Sequence, residues 1–69
     1  MNFSSKLVSL RISRGISQQH LAKEIDFSSR AVQSWEKGIT LPGYHAIVAL
    51  CRFFKISADE LLELNEVQK

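Results

Sequence analysis

One short pattern occurs three times along this chain: an apolar residue, a serine directly after it, and a second apolar residue four positions beyond the serine. A serine at a helix N-cap accepts a hydrogen bond from a free backbone N–H, and the two apolar residues pack across the helix start. The pattern therefore predicts three helix starts and favours an all-α fold. The copies are Ile16, Ser17 and Leu21; Phe27, Ser28 and Val32; and Ile56, Ser57 and Leu61.

Two further features belong to the same pattern. Glu60 stands three residues after Ser57, which is the spacing of a capping box. Phe3, Ser4 and Val8 repeat the pattern near the start of the chain, with Ser5 as a competing cap. The sequence thus indicates a fourth helix start at Ser4 or Ser5.

The spacing of apolar residues predicts five helices, at about residues 5–14, 18–25, 29–37 and 44–54, with the fifth beginning after Ser57. Gly15 and Gly38 are expected to end the first and third, because glycine accepts the left-handed backbone found just past helix ends. Residues 65–69 are expected to fray. The predicted inward residues, in helix order, are Leu7 and Leu10; Leu21, Ala22 and Ile25; Val32 and Trp35; Ile47, Leu50, Cys51 and Phe54; and Leu61, Leu62 and Leu64.

A chain of 69 residues is one domain, with a predicted core at about residues 5–64. A domain this small buries only about 60% of its unfolded surface. Cys51 is the single cysteine, which excludes an internal disulfide, and the two histidines, His20 and His45, are too far apart in sequence to suggest a zinc site. We therefore expect no metal and no cofactor, and stability from packed helices with help from a partner subunit.

The charge of the chain is unevenly distributed. Its net charge is +2, but residues 1–55 carry +5 and residues 56–69 carry −3. A basic body suits a polyanionic partner on one face, and a solvated surface with an acidic tail fits the charges equally well. The apolar run from Ala46 to Cys51 is too short to cross a bilayer, and no signal peptide is visible. The sequence predicts a soluble cytoplasmic protein.

The second and third predicted helices are joined by only Asp26, Phe27 and Ser28. A short turn between two short amphipathic helices is typical of a helix-turn-helix. If Val32 and Trp35 face inward, the opposite face of the third helix is polar and free of acids. Arginine, glutamine and serine can all bond base edges in the major groove, although many surface helices are polar without function. The outward residues are Ser29, Arg30, Gln33 and Ser34, with Lys37 at the end.

The run from Ile16 to Pro42 resembles the phage repressor and Cro-type helix-turn-helix family, also called XRE-like. The residues that match are Ser17-Gln18, Leu21-Ala22, Val32, Trp35-Glu36-x-Gly38 and Pro42. Residues 54–62 are also similar to the start of the last helix in that family. The resemblance covers roughly residues 6–63 and implies a compact five-helix, lambda-repressor-like domain that binds double-stranded DNA.

The resemblance also implies a role for individual residues. Arg11 and Glu36 match a structural pair that fixes the third helix against the first. Asp26 and Lys55 depart from the family, which often has glycine there, and only Lys37 is basic around the loop after the third helix. Phosphate binding is then expected to be weak and dimerisation important. Expected base contacts are Ser29, Arg30, Gln33 and Ser34; expected phosphate contacts are Ser17, Gln18, Ser28 and Lys37.

We expect a repressor that acts as a homodimer on a near-palindromic operator, with half-site centres roughly 34 Å apart. A second hypothesis is an antitoxin-type module that binds a toxin-like protein as well as DNA. An enzyme is disfavoured: the Ser-x-x-Lys match at Ser34 to Lys37 has no companion motif, and no nucleophile–base set or paired carboxylates occur. The candidate dimer surface comprises Ile39, Leu41, Phe53, Ala58 and Leu61.

Overall fold

The computed structural model describes residues 3–62, and this part of the chain forms five α-helices and no strand. The predicted all-α, five-helix class is confirmed, and α2, α3 and α4 have the predicted bounds. Residues 63–69, with the predicted inward Leu64 and the predicted frayed end, lie outside the described residues. The helices are α1 (Phe3–Ser13), α2 (Gln18–Ile25), α3 (Ser29–Lys37), α4 (Tyr44–Phe54) and α5 (Ala58–Leu62).

Three connections in the described part of the chain share one plan: a residue in the left-handed conformation, an apolar residue, and a serine. The apolar residue donates its backbone N–H to a carbonyl five positions earlier, which closes the preceding helix. The serine then caps the next helix. The closing bonds run from Ile16 to Arg11 (3.4 Å), from Phe27 to Ala22 (2.8 Å) and from Ile56 to Cys51 (3.1 Å).

The three predicted serine caps are confirmed. Ser17, Ser28 and Ser57 each accept a backbone N–H from the residue three positions ahead, at 3.0, 3.1 and 3.1 Å. The carboxylate of Glu60, predicted to complete a capping box, lies 3.9 Å from the Lys6 ammonium on α1. Each cap satisfies one of the backbone donors that a helix start would otherwise leave free.

Two of these connections use a residue other than glycine in the left-handed conformation. Asp26 has a φ of 65° and Lys55 a φ of 60°. A side chain in this conformation costs about 1–2 kcal/mol, with aspartate tolerating it better than lysine. The departures from the family's glycines are therefore accommodated without moving the ends of α2 and α4.

The predicted cap at Ser4 or Ser5 is wrong, because α1 already includes Phe3. The Phe3 side chain is buried in the core, and this burial favours a helix that already includes Phe3. Ser4 caps nothing; its hydroxyl donates to the Trp35 carbonyl at 3.0 Å. The first turn of α1 is thus tied to α3.

The core lies between all five helices, and its fully buried residues include Leu7, Leu21, Leu50 and Leu61. All five predicted inward residues of α2 and α3 are buried as expected. The remaining members of the core are Phe3, Ala22, Ile25, Val32, Trp35, Ala46 and Phe54.

The predicted stripe on α4 is partly wrong. Leu50 and Phe54 are buried, but Ile47 and Cys51 are half-buried, and Ala46 takes the central position instead. Alanine is small, so its burial lets the backbone of α4 approach the core closely. Burial raises the pKa of the Cys51 thiol, which therefore stays protonated at neutral pH.

The described residues offer neither a membrane span nor a metal site. The longest helices, α1 and α4, have 11 residues each, whereas a bilayer span needs about 20, and no helix within residues 3–62 is long and apolar enough to cross a membrane. Over the same range, no group of three or more His, Cys, Asp or Glu side chains could hold a metal ion.

Candidate nucleic-acid interface

The third helix divides cleanly into two faces. Val32 is fully buried and Trp35 is 5% exposed, and both pack into the core. The polar residues predicted to project outward lie on the opposite side, with Arg30, Gln33 and Lys37 exposed and Ser29 and Ser34 half-buried. We call these five residues, Ser29, Arg30, Gln33, Ser34 and Lys37, the outward face of α3.

The outward face is rich in hydrogen-bonding groups and carries no carboxylate. The Arg30 guanidinium has five N–H donors in a planar fork, which matches the paired acceptors of guanine. The Gln33 amide offers both a donor and an acceptor, the combination that pairs with adenine. A helix with this face has the size and the chemistry to enter the major groove of B-DNA.

A buried carboxylate fixes the orientation of α3. The Glu36 side chain is only 5% exposed, and Arg11 from α1 contacts both of its oxygens, Nε to Oε2 at 2.6 Å and Nη2 to Oε1 at 3.2 Å. Arg11 also donates through Nη1 to the Ile16 carbonyl at 2.8 Å. The structure thus brings together the pair that the resemblance implied, and the pair joins α1, the connection after it, and α3.

Gln18, the first residue of α2, contacts the same carboxylate. Its Nε2 donates to Glu36 Oε1 at 2.9 Å. A primary amide has a second N–H and a carbonyl oxygen, so Gln18 can brace α3 and still reach a phosphate. The Ser17 and Ser28 hydroxyls accept backbone N–H groups, and the hydroxyl proton of each can be donated to a phosphate oxygen.

Thr40, which the sequence analysis missed, lies against the outward face. Its Oγ1 is 2.8 Å from Ser34 Oγ. A signal for it was present: Gly38, Ile39 and Thr40 repeat the order of left-handed residue, apolar residue and hydroxyl residue found in the other connections. Thr40 was overlooked because no helix follows it directly.

Some residues of the candidate dimer surface are exposed and others are not. Ile39 and Leu41 are 70% and 75% exposed, and Ala58 is exposed. Phe53 is half-buried and lies 5.2 Å from the Arg14 guanidinium. The prediction that Leu61 belongs to a dimer surface is wrong: it is fully buried, because the first turn of α5 directs it into the core.

Comparison with known proteins places this geometry in a family. A family model described as Helix-turn-helix matches residues 7–61, which is most of the chain. The chain belongs to the helix-turn-helix family. The resemblance to phage repressors is confirmed by solved structures: the P22 c2 repressor in complex with a synthetic operator is similar to this chain with a TM-score of 0.87 and 27% identity, over 91% of this chain and 96% of that one.

Three further proteins are also similar to this chain. The restriction-modification controller protein C.AhdI from Aeromonas hydrophila has a TM-score of 0.80 and 28% identity, over 87% of this chain and 91% of that one. The transcriptional activator BcrR of Enterococcus faecalis is 33% identical over 67 residues, 97% of this chain but 33% of BcrR. The CTXphi phage repressor RstR of Vibrio cholerae is 30% identical over 93% of this chain and 58% of RstR. The chain therefore spans between a third and three fifths of these two relatives.

Proposed function

We propose that this helix-turn-helix chain binds double-stranded DNA with sequence preference and regulates transcription by placing α3 in the major groove. One observation carries the proposal: α3 buries Val32 and Trp35 while Arg30 and Gln33 stand exposed on its other side. The Glu36 carboxylate, held by Arg11 and Gln18, keeps this face in one orientation. A base-contacting helix needs both properties, since bidentate contacts depend on geometry.

The relatives support repression as the mode of regulation. RstR is a transcriptional repressor and the P22 c2 protein is a repressor found on an operator. Among these similar proteins BcrR is the activator, and it is matched over 33% of its length, as RstR is over 58%. A small domain bound across a promoter can block it sterically without a further domain.

A homodimer on a near-palindromic operator completes the proposal. Two copies of α3 would enter successive major grooves, with half-site centres roughly 34 Å apart. Ile39, Leu41 and Ala58 supply exposed surface for the contact. Dimerisation compensates for a loop after α3 in which residues 38–43 carry no basic side chain, because two linked half-sites bind more tightly than one.

The first test is selection of bound duplexes from a random DNA pool at a stated salt concentration, since affinity depends strongly on salt. We expect a near-palindrome whose half-sites are about one helical turn apart. A pool with no enriched sequence would contradict the proposal. Enrichment of a single half-site would support DNA binding and would contradict the proposed homodimer.

The second test uses single substitutions on the selected site. Arg30→Ala is expected to cost about 1–3 kcal/mol and to relax preference at one base pair. Arg52→Ala, an exposed arginine on α4, is the control for the same change in charge. Gln18→Ala should weaken binding to every sequence alike. An equal loss on all sequences for Arg30→Ala would exclude a base contact.

The same exposed surface is also available to a second kind of protein partner, of the antitoxin type. Ile39, Leu41 and Tyr44 are 70%, 75% and 77% exposed within six residues, and grouped exposed apolar side chains mark interaction surfaces more often than isolated ones do. Sedimentation of the purified chain at several concentrations separates the alternatives. Self-association that Leu41→Ser abolishes favours the homodimer, and a monomer at all concentrations, together with a toxin-like reading frame beside the gene, favours the partner.

A further inference from the structure

The connection after α3 begins like the other three and then departs from them. Gly38 has a φ of 78°, Gly38 N donates to the Trp35 carbonyl at 3.2 Å, and Ile39 N donates to the Ser34 carbonyl at 3.0 Å. This is the Schellman pattern of hydrogen bonds that closes a helix and folds the chain back on it. The next residue, Thr40, takes the place that serine takes in the other connections.

The Thr40 hydroxyl has no helix to cap. The next helix, α4, begins at Tyr44 and has Gly43 at its N-cap, with no side-chain cap hydrogen bond. The hydroxyl instead lies 2.8 Å from Ser34 Oγ. Ser34 is one turn beyond Arg30 on the outward face of α3, so the bond joins the loop to a proposed base contact.

We propose that Thr40 is a positioning residue for base recognition: its hydroxyl holds the Ser34 hydroxyl in one orientation toward the base edge. This inference rests on the proposed function and specifies how one base pair is selected. An unrestrained serine samples three rotamers and can act as donor or acceptor, so alone it discriminates poorly between bases.

The bond also determines which group Ser34 presents. If Thr40 donates to Ser34, the Ser34 proton remains available for an acceptor such as guanine O6 or thymine O4; if Ser34 donates, only its lone pairs remain, for the amino group of adenine or cytosine. Insertion into the groove removes competing water, and in the lower dielectric there the hydroxyl pair strengthens. In either direction the bond occupies one function of the Ser34 hydroxyl and leaves the other for the base edge.

The experiment compares Ser34→Ala, Thr40→Val and the double variant with the wild-type protein on DNA pools selected at one salt concentration. Thr40→Val keeps the shape of the side chain and removes the hydroxyl. Ser9→Ala on the exposed side of α1 is the matched control. Thermal melting of each variant verifies that all of them fold.

We expect Ser34→Ala to relax preference at one base pair by about 3- to 10-fold, the worth of one hydrogen bond. Thr40→Val should relax the same base pair in the same sense, and the double variant should lose no more than Ser34→Ala. Thr40→Ser keeps a hydroxyl at this position, so, unlike Thr40→Val, it should keep the wild-type base preference.

Three outcomes would overturn the inference. Thr40→Val could lower affinity equally on all sequences, which indicates a phosphate contact, or the losses of base preference in the double variant could be additive. The third is that Ser34→Ala leaves the base preference unchanged. A wild-type protein without any sequence preference would contradict the proposed function instead. In that case the χ1 couplings of Ser34, measured by NMR without DNA, still test the hydroxyl pair. We expect a single Ser34 rotamer in the wild-type protein and several interconverting rotamers in Thr40→Val. Several interconverting rotamers already in the wild-type protein would refute the hydroxyl pair.

Discussion

The buried Glu36 carboxylate makes the stability of this domain depend on Arg11. Arg11→Met keeps an unbranched apolar stem and removes the guanidinium. Glu36 Oε2 would lose its donor at 2.6 Å, and Oε1 would keep only the Gln18 amide at 2.9 Å. The Glu36 side chain is only 5% exposed, so water has little access to the carboxylate. The variant therefore leaves a charge buried with one neutral donor.

The size of the effect is set by burial. Removing one partner of a buried ion pair costs about 3–5 kcal/mol, whereas exposed pairs are worth about 0–1 kcal/mol. Arg11 is itself 16% exposed, so some water will replace it, and we expect the lower end, about 3 kcal/mol. For a chain of 69 residues the total stability is about 3–10 kcal/mol. The substitution should remove a third of it or more.

Urea unfolding provides the assay. Trp35, the single tryptophan, is 5% exposed, so its fluorescence reports unfolding of the core. With a slope of about 1 kcal/mol per molar urea, a loss of about 3 kcal/mol lowers the midpoint by about 3 M. Lys6→Met is the matched control: its pair with Glu60 spans 3.9 Å with side chains 24% and 55% exposed, and its loss should stay below about 1 kcal/mol.

A double variant separates lost charge from lost packing. Arg11→Met combined with Glu36→Leu removes both charges, so it should be more stable than Arg11→Met alone. If the double variant is less stable, or if Arg11→Met costs no more than Lys6→Met, the buried pair is not what holds α3 in place.

Three further changes are checked by the same urea titration. Lys55→Gly should raise stability by about 0.5–1 kcal/mol, because the residue has a φ of 60° and glycine relieves the left-handed strain. Gly38→Ala should lower it by at least about 1 kcal/mol, because φ is 78° and the new Cβ would lie 3.2 Å from a side-chain oxygen of α1. Arg14→Ala should lower the free energy of unfolding by about 1 kcal/mol, because the guanidinium donates to the Phe53 carbonyl at 3.2 Å and lies 5.2 Å from the Phe53 ring. A loss of DNA preference without a loss of stability would contradict this structural role.

Helix boundaries could be predicted well because their signals are local. Each of the three serine connections carries its stop and its start within three adjacent residues, so no knowledge of the tertiary fold was needed. The start of α1 was mispredicted because it depends on distant contacts: Phe3 is buried among other helices, and Ser4 bonds the Trp35 carbonyl 31 positions away. Local cap signals cannot anticipate either contact.

Faces were predicted less evenly than boundaries. On α3 the inward pair, Val32 and Trp35, is surrounded by polar residues, so only one orientation buries apolar surface. On α4 nearly every residue is apolar, so periodicity could not choose between a stripe centred on Ile47 and Cys51 and the observed one centred on Ala46. That choice depends on how closely the neighbouring helices approach, which sequence spacing does not contain.

The role of Thr40 depends on the two residues that follow it, Leu41 and Pro42. Ser17 and Ser28 each precede residues free to adopt helical backbone, so their hydroxyls cap α2 and α3 at once. Thr40 precedes Leu41 and then Pro42, and a residue before proline is driven away from the helical region. Helix initiation is thereby delayed to Tyr44, and the hydroxyl is left beside Ser34. The same three-residue plan thus builds the fold at three connections and, where a proline comes soon after, contributes a side chain to the proposed DNA-binding face.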